Sequence, residues 1–237
     1  MEESEGPMHK ALNNSAVNNS PVRKLIKTED GSFTFWIPEV NETYHSRHGA
    51  EQESNHVFIK NGLKLFEQQS AVSVLEVGLG TGLNALLTYE DASGHVIHYT
   101  ALEPFPLISE WVAALCEAQR DEKRKSMIED IHASSFDEII HFSHSFRFKK
   151  LKKGLQELGL HEKFDLIYFD AFGPELEPEL WTLEMMQKCY DLLNTEGVWV
   201  SYCAKGQVRR NLQQVGFQVE RLQGPPGKRE MLRAIKQ

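Results

Sequence analysis

The chain has 237 residues, enough for one α/β domain with a filled core and too few for two full domains, so one domain with a short appendage is the default. Hydrophobic residues make up 41% and charged residues 25%, ordinary for a globular protein, and no apolar run approaches the roughly 20 residues that span a bilayer. A net charge of −8 would argue against nucleic acid as a partner if the charge were evenly spread, which it is not.

Residues 1–22 are rich in Asn, Ser and Glu and lack a hydrophobic period, which predicts a disordered tail. Three glutamates among the first five residues, with no apolar stretch before Val22, fit neither a secretory signal nor an arginine-rich transit peptide, so the expected location is cytoplasmic. Lys24-Leu25-Ile26-Lys27 and Phe33-Thr34-Phe35-Trp36-Ile37 flank Asp30-Gly31 and are expected to pair as a hairpin, a small N-terminal lid. Tyr44 to Ala50 reads as a loop, and Glu53 to Gln69 carries apolar residues at 57, 58, 59, 63, 65 and 66 that suit a helix packed on a sheet. Residues 23–70 thus form an expected N-terminal extension, and 71–237 the main domain.

From residue 71 strands and helices alternate, the pattern of a parallel sheet covered on both faces. Strands are expected at 72–77, 96–103, 145–151, 164–169 and 197–203. Helices are expected at 82–90, 106–119, 121–131, 135–140, 179–194 and 207–215. Phe217 to Gln223 and Met231 to Lys236 are joined by Gly224-Pro225-Pro226-Gly227, too short for a crossover helix, so they should form an antiparallel hairpin.

The first of these strands runs into a glycine-rich turn, Glu76-Val77-Gly78-Leu79-Gly80-Thr81-Gly82-Leu83-Asn84. Glycine lets the backbone approach a ligand where a Cβ would collide, and the helix that follows can cover that ligand. A dinucleotide fingerprint wants G-x-G-x-x-G aimed at pyrophosphate, but Leu83 stands at the third glycine and Glu76 points a carboxylate at the site. A carboxylate repels pyrophosphate and suits a cationic amino acid. The pattern resembles motif I of class I S-adenosylmethionine (SAM) methyltransferases, with NAD as the competing ligand and a plain strand-to-helix turn as the reading without function. Glu103 closes the second strand 21 residues after Gly82, where an acid accepts hydrogen bonds from ribose hydroxyls in either nucleotide.

Phe164-Asp165-Leu166-Ile167-Tyr168-Phe169-Asp170-Ala171-Phe172-Gly173-Pro174 reads as a central strand that delivers Asp170 to the carboxyl edge of the sheet beside the first strand. There the carboxylate can orient an amine and take its proton, since methyl transfer from a sulfonium needs an aimed, neutral lone pair and no covalent nucleophile. Phe172 and Trp181 can wall or stack a flat base, although Trp181 suits the core equally. His45 with His48, and His141 with His144, lack partners for a metal site, so no metal is expected. Cys116, Cys189 and Cys203 read as buried small hydrophobes.

Lys205 to Gln237 holds eight basic residues (Lys205, Arg209, Arg210, Arg221, Lys228, Arg229, Arg233, Lys236) against Glu220 and Glu230, a local charge of +6. Such a surface can track a phosphate backbone even on an acidic protein. The run Arg147, Lys149, Lys150, Lys152 and Lys153 serves equally as a solvated face.

Taken together, the ordered motifs resemble the methyltransferase domain of MnmC-type tRNA wobble-uridine modification enzymes. The residues that carry the resemblance are Gly80-Thr81-Gly82-Leu83-Asn84, Leu102-Glu103-Pro104-Phe105-Pro106-Leu107, Phe169 to Pro174 with Pro178-Glu179-Leu180-Trp181-Thr182, Val208-Arg209-Arg210-Asn211-Leu212 with Gly216-Phe217, and Gly227-Lys228-Arg229-Glu230-Met231-Leu232. The resemblance implies a class I SAM-dependent methyltransferase fold, a Rossmann-like doubly wound sheet with a C-terminal antiparallel hairpin and here a small N-terminal β extension. It implies methylation of the amine of 5-aminomethyl-2-thiouridine at the tRNA wobble position. Glu76, Gly78, Gly80, Thr81, Gly82, Asn84, Glu103 and Pro104 would hold the cofactor, with Asp170 between it and the acceptor. Tyr44, Phe172, Pro174, Lys205, Arg209, Arg210, Lys228 and Arg229 would hold the tRNA, its anticodon arm included. Many members carry a FAD-dependent oxidoreductase domain after this one, so a chain stopping at Gln237 is expected to act on an aminomethyl group made by a separate enzyme. Lys153-Gly154-Leu155 departs from the family's usual Gly-Asp after the third strand, which leaves adenine recognition unassigned. A polyamine aminopropyltransferase, with the same fold and a sulfonium donor, and a non-catalytic SAM-binding protein are the alternatives.

Overall fold

A computed structural model describes residues 22–92, 94 and 96–237; the expected tail at 1–22 lies outside them except for Val22. Strands β1 (Lys24–Lys27), β2 (Phe33–Ile37) and β3 (Glu42–Thr43) form a three-stranded antiparallel sheet. The expected hairpin is present, and Asp30 Oδ1 shapes its turn by accepting from the Ser32 amide (3.0 Å) and the Thr28 hydroxyl (2.6 Å). Phe35 turns inward and joins the main core.

The expected helix at 53–69 is instead three pieces. Helix α1 (Ala50–Ser54) passes into a π-helical turn over Asn55–Lys60, and a separate 3-10 turn spans Leu63–Phe66. The wider turn buries Val57, Phe58 and Ile59 in succession, which an ordinary helical period does not allow for three adjacent residues.

The main sheet contains β4 (Ala71–Val77), β5 (Val96–Leu102), β6 (Ile139–Ser143), β7 (Phe146–Leu151), β8 (Phe164–Phe169), β9 (Leu193–Ser201), β10 (Phe217–Gln223) and β11 (Glu230–Lys236). Their spatial order is β10-β11-β9-β8-β4-β5-β7-β6, parallel from β7 to β9, with β11 antiparallel to β9. Helices α2 (Leu83–Asp91), α3 (Ser109–Ala118) and α4 (Glu122–Ala133) cover one face with residues 57–66, and α5 (Leu183–Leu192) and α6 (Gly206–Gln214) cover the other. The alternation of β8 shows why the faces separate: Leu166 and Tyr168 enter the first cluster, Ile167 and Phe169 the second. Asp121 caps α4 by accepting from the amides of Lys123 and Arg124.

The segment expected as a helix at 135–140 is a correction. Residues 139–143 form β6, antiparallel to β7, with Ile139 60% exposed on the sheet's outer edge. Pairing with β7 overrides the local apolar pattern. The strand expected at 197–203 runs from 193 to 201.

Candidate functional site

Adjacent parallel strands bring three loops together at one edge of the sheet. Val77 is level with Leu102 on one side and Phe169 on the other, so Gly78, Glu103 and Asp170 emerge together. Backbone bonds lock them there: Gly78 N–H donates to Leu102 O (3.1 Å) and Asp170 N–H to Val77 O (3.0 Å). This is the switch point where β4 leads to β5 on one flank while β8 occupies the other. A cavity of about 1680 Å³ opens above it, and acidic residues outnumber basic ones in its lining.

One wall is built from backbone. Gly78 has φ +92, and a Cβ there would sit 2.9 Å from Asp170 O; Gly80 has φ +52, and a Cβ there would meet the Tyr44 ring at 3.1 Å. Glu103 binds this loop to its own, Oε2 accepting from Gly80 N–H and Oε1 from Phe105 N–H, both at 2.8 Å. Each carboxyl oxygen retains a second lone pair for a ligand hydroxyl. Two histidines hold the loop. His132 Nε2 donates to Thr81 O at 3.0 Å, and His45 Nε2 lies 2.7 Å from Thr81 Oγ1. Burial lowers His45 to about 4, so its imidazole is neutral at pH 7. Gly154 and Leu155, with Gln156 and Glu157, close the far end of the cavity.

The other wall comes from segments far apart in sequence. Asp170 lines the cavity, and burial followed by the Glu53 carboxylate raises its pKa well above the usual range, opposed by the Asn84 hydrogen bond and Lys228. Tyr44 packs edge-on against Phe172 (centroids 5.3 Å), and its hydroxyl accepts from Arg23 Nε at 2.8 Å. Burial pushes Tyr44 up to about 12. Glu177 Oε2 accepts from Phe172 N–H (3.0 Å), and burial pushes that carboxyl up to about 8. Tyr202 donates to Ala171 O (2.9 Å), and the Lys228 ammonium lies 3.8 Å above its ring. Lys228 also donates to Glu53 Oε2 (2.5 Å), while Glu53 Oε1 accepts from Ser46 N–H (3.0 Å). The hairpin turn meets the N-terminal extension there, and His56 Nε2 donates to Gln223 O.

The structure therefore gathers Tyr44, Gly78, Gly80, Glu103, Pro104, Asp170, Phe172, Pro174, Lys205, Lys228 and Arg229 around one cavity, while Glu76, Thr81, Gly82, Asn84, Arg209 and Arg210 lie outside its lining. Trp181 is core, its indole N–H held by Phe172 O. Glu53, His45, Glu177 and Tyr202 are lining residues that no motif indicated. Glu53 left a signal: Ala50, Glu53, Ser54, Val57 and Phe58 follow the buried period of a helix, an unusual place for an acid. The basic segment is not one surface. Lys228 turns inward, Lys205 pairs with Glu175, Arg221 with Glu230, and Arg233 with Glu220, whereas Arg210 and Arg229 are exposed. In the earlier run Lys150 is buried and donates to Ile131 O and His132 O at the end of α4. Among the described residues no cluster of three or more His, Cys, Asp or Glu is arranged to hold a metal, and no helix is long and apolar enough to cross a membrane.

Residues 122–237 match the model of a family described as S-adenosyl-L-methionine-dependent methyltransferase. The bifunctional protein MnmC of Paraburkholderia phymatum, named for tRNA 5-methylaminomethyl-2-thiouridine biosynthesis, is 27% identical over 216 residues, covering 84% of this chain and 33% of the relative. Its counterpart in Hydrogenovibrio crunogenus is 28% identical over 209 residues, covering 81% and 31%. Over most of its length the chain is similar to MnmC-type proteins. It spans about a third of the length of the curated relatives it matches. In fold it is similar to the crystal structure of MnmC2 from Aquifex aeolicus, with TM-score 0.72 and 24% identity over 92% of this chain and 71% of that one. It is also similar to spermidine synthase from Thermotoga maritima, with TM-score 0.56 and 16% identity over 90% and 68%. The fold is that of class I SAM-dependent methyltransferases, as the sequence implied, with the small N-terminal sheet added. Likeness to these two structures shows the fold alone.

Proposed function

We propose that this chain transfers a methyl group from SAM to the amine of 5-aminomethyl-2-thiouridine at the tRNA wobble position. The observation that carries the reading is Asp170, a half-buried carboxyl at the switch point with the glycine wall on one side and the Tyr44–Phe172 aromatic pair on the other. The residues present fit the cofactor: a Cβ would fill the cradle at Gly78 and Gly80, Glu103 has free lone pairs beside it, and the acid-rich lining suits a cation. Gly78, Gly80, Glu103 and Pro104 would hold it, with Thr81 and Gly82 shaping the loop from behind. When bound, SAM supplies an electrophilic methyl on its sulfonium.

Asp170 orients the acceptor amine and takes a proton from it. An alkylammonium has no lone pair, and a carboxyl with a raised pKa is a better proton acceptor than an ordinary aspartate. Tyr44, Phe172 and Pro174 confine the base, and the exposed Arg210 and Arg229, with Lys205 and Arg209 nearby, face the phosphates of the anticodon arm. The names of the relatives support tRNA over a polyamine. A separate enzyme supplies the primary amine, and the chain works beside tRNA in the cytoplasm. Incubating purified protein and SAM with tRNA that carries aminomethyl-thiouridine, then analysing nucleosides by mass spectrometry, tests the reading. A gain of one methyl at that nucleoside supports it; methyl-free tRNA, or aminopropyl transfer to putrescine from decarboxylated SAM, refutes it.

A further inference from the structure

Strand parity decides what lies beneath Asp170. Val72 and Val74 on β4, and Leu166 and Tyr168 on β8, face the cluster that contains α2 and α4. One more pleat along each strand brings Glu76 and Asp170 to that same face. Glu76 is fully buried, Asn84 in the first turn of α2 is 1% exposed, and both lie outside the cavity lining. The Asn84 amide spans the two acids: Nδ2 donates to Glu76 Oε1 at 3.0 Å and to Asp170 Oδ2 at 2.7 Å. A side-chain amide nitrogen has two hydrogens, and here both go to carboxyl groups.

We propose that Asn84 is a positioning residue for Asp170, with Glu76 as the anchor behind it. The inference rests on the reading of Asp170 given above. A half-buried carboxylate needs a donor to fix its rotamer and to compensate its charge, and Asn84 supplies one without adding a cation that would repel an ammonium. Asn84 in turn needs a fixed acceptor for its second hydrogen. Burial and the charge of Asp170 favour the neutral form of Glu76, so it accepts that hydrogen without placing a second negative charge under the first.

The test compares wild type with Asn84→Ala, Glu76→Leu and the double variant, measuring SAM dissociation constants by calorimetry and turnover at saturating SAM and aminomethyl tRNA. A protein that still binds SAM is folded, which separates positioning from collapse. The expected result is an affinity for SAM within about threefold of wild type in all three, with kcat reduced about 100-fold in Asn84→Ala, the typical cost of a small misplacement. The double variant should be no slower than Asn84→Ala alone, because the two residues act as one unit. A second readout needs no acceptor: the Asp170 carboxyl carbon should titrate at higher pH in Asn84→Ala, where a bond that favours its ionised form is gone. Its other titratable neighbours, Glu53 on α1, Lys228 on the β10–β11 turn and Glu76 below, are unaltered in that variant. Loss of SAM affinity by tenfold or more with kcat maintained would overturn the proposal, as would independent, multiplying losses in the double variant. If wild type binds SAM but methylates no tRNA, the functional reading fails while the affinities and the Asp170 titration still decide the role of Asn84.

Discussion

The two walls of the cavity are made in different ways. The glycine wall comes from the ends of β4 and β5, its contacts are mainly backbone to carboxylate, and most of its residues fall within 76–84 and 102–105. The opposite wall draws Tyr44 and Glu53 from the N-terminal extension, Asp170 to Glu177 from the loop after β8, Tyr202 from just past the end of β9 and Lys228 from the last hairpin. Its contacts join side chains to one another as well as to backbone, and they hold buried charge. A wall of backbone tolerates change wherever a Cβ fits; a wall of buried ions fails when one partner leaves. Under the proposed function the first is expected to set cofactor affinity and the second the rate on the acceptor.

Six substitutions sharpen or break that division. The largest effect is expected for Asp170→Asn, with turnover on tRNA falling roughly 10²–10⁴-fold, the usual contribution of a proton acceptor. Its pH dependence has a defined sign: wild-type kcat/KM should rise as Asp170 ionises, through a limb above the ordinary carboxylate range because its pKa is raised. Rate measurements from pH 5 to pH 9 check this; an acid limb at the usual carboxylate value would contradict it.

Lys228→Met leaves Glu53 buried without its cation. We expect a loss of about 2–3 kcal/mol in chemical denaturation, less than a fully buried pair because the Lys228 side chain is 32% exposed. The salt dependence of tRNA binding should not change, since this lysine serves Glu53. By contrast, Arg210→Gln or Arg229→Gln should reduce the slope of log affinity against log salt by roughly 0.7–0.9 each.

Glu177→Gln comes next. The pKa of Glu177 rises from 4.5 to about 8 on folding, so the folded protein holds a proton that the unfolded chain has lost. Stability from this group is full below pH 4.5 and is lost as pH rises through about 8. The Gln variant keeps an acceptor for Phe172 N–H and should lose this dependence. Melting temperatures across that window check it, and parallel curves for the two proteins would contradict it.

The smallest effect belongs to the backbone wall. Gly80→Ala places a methyl 3.1 Å from Tyr44 at a positive φ, and SAM affinity should fall about tenfold, or 1.4 kcal/mol.

This contrast also explains what could be read in advance. β8 appears at 164–169 as expected because its residues are apolar on both faces and bounded by turns, and the glycine wall is contiguous in sequence. The expected helix at 135–140 ran into the edge strand β6 at 139–140, because β6 has no buried residue and only its pairing with β7 fixes its form. The acceptor wall has no local motif. Its residues come from five separated segments, and only the acid at position 53 within an otherwise buried helical period hinted at it. Lys228 was expected on the tRNA surface from charge alone, but an ammonium on a flexible stem can turn inward to an aromatic face and a buried carboxylate.

The most direct test of the division measures Gly80→Ala and Asp170→Asn side by side, with SAM affinity by calorimetry and turnover at saturating SAM on aminomethyl tRNA. The expected result is a double dissociation: Gly80→Ala weakens SAM and keeps most of its kcat, while Asp170→Asn binds SAM nearly as wild type does and loses its kcat. If both variants lose affinity together and turnover is preserved once SAM is saturating, Asp170 belongs to the cofactor wall and the account is wrong.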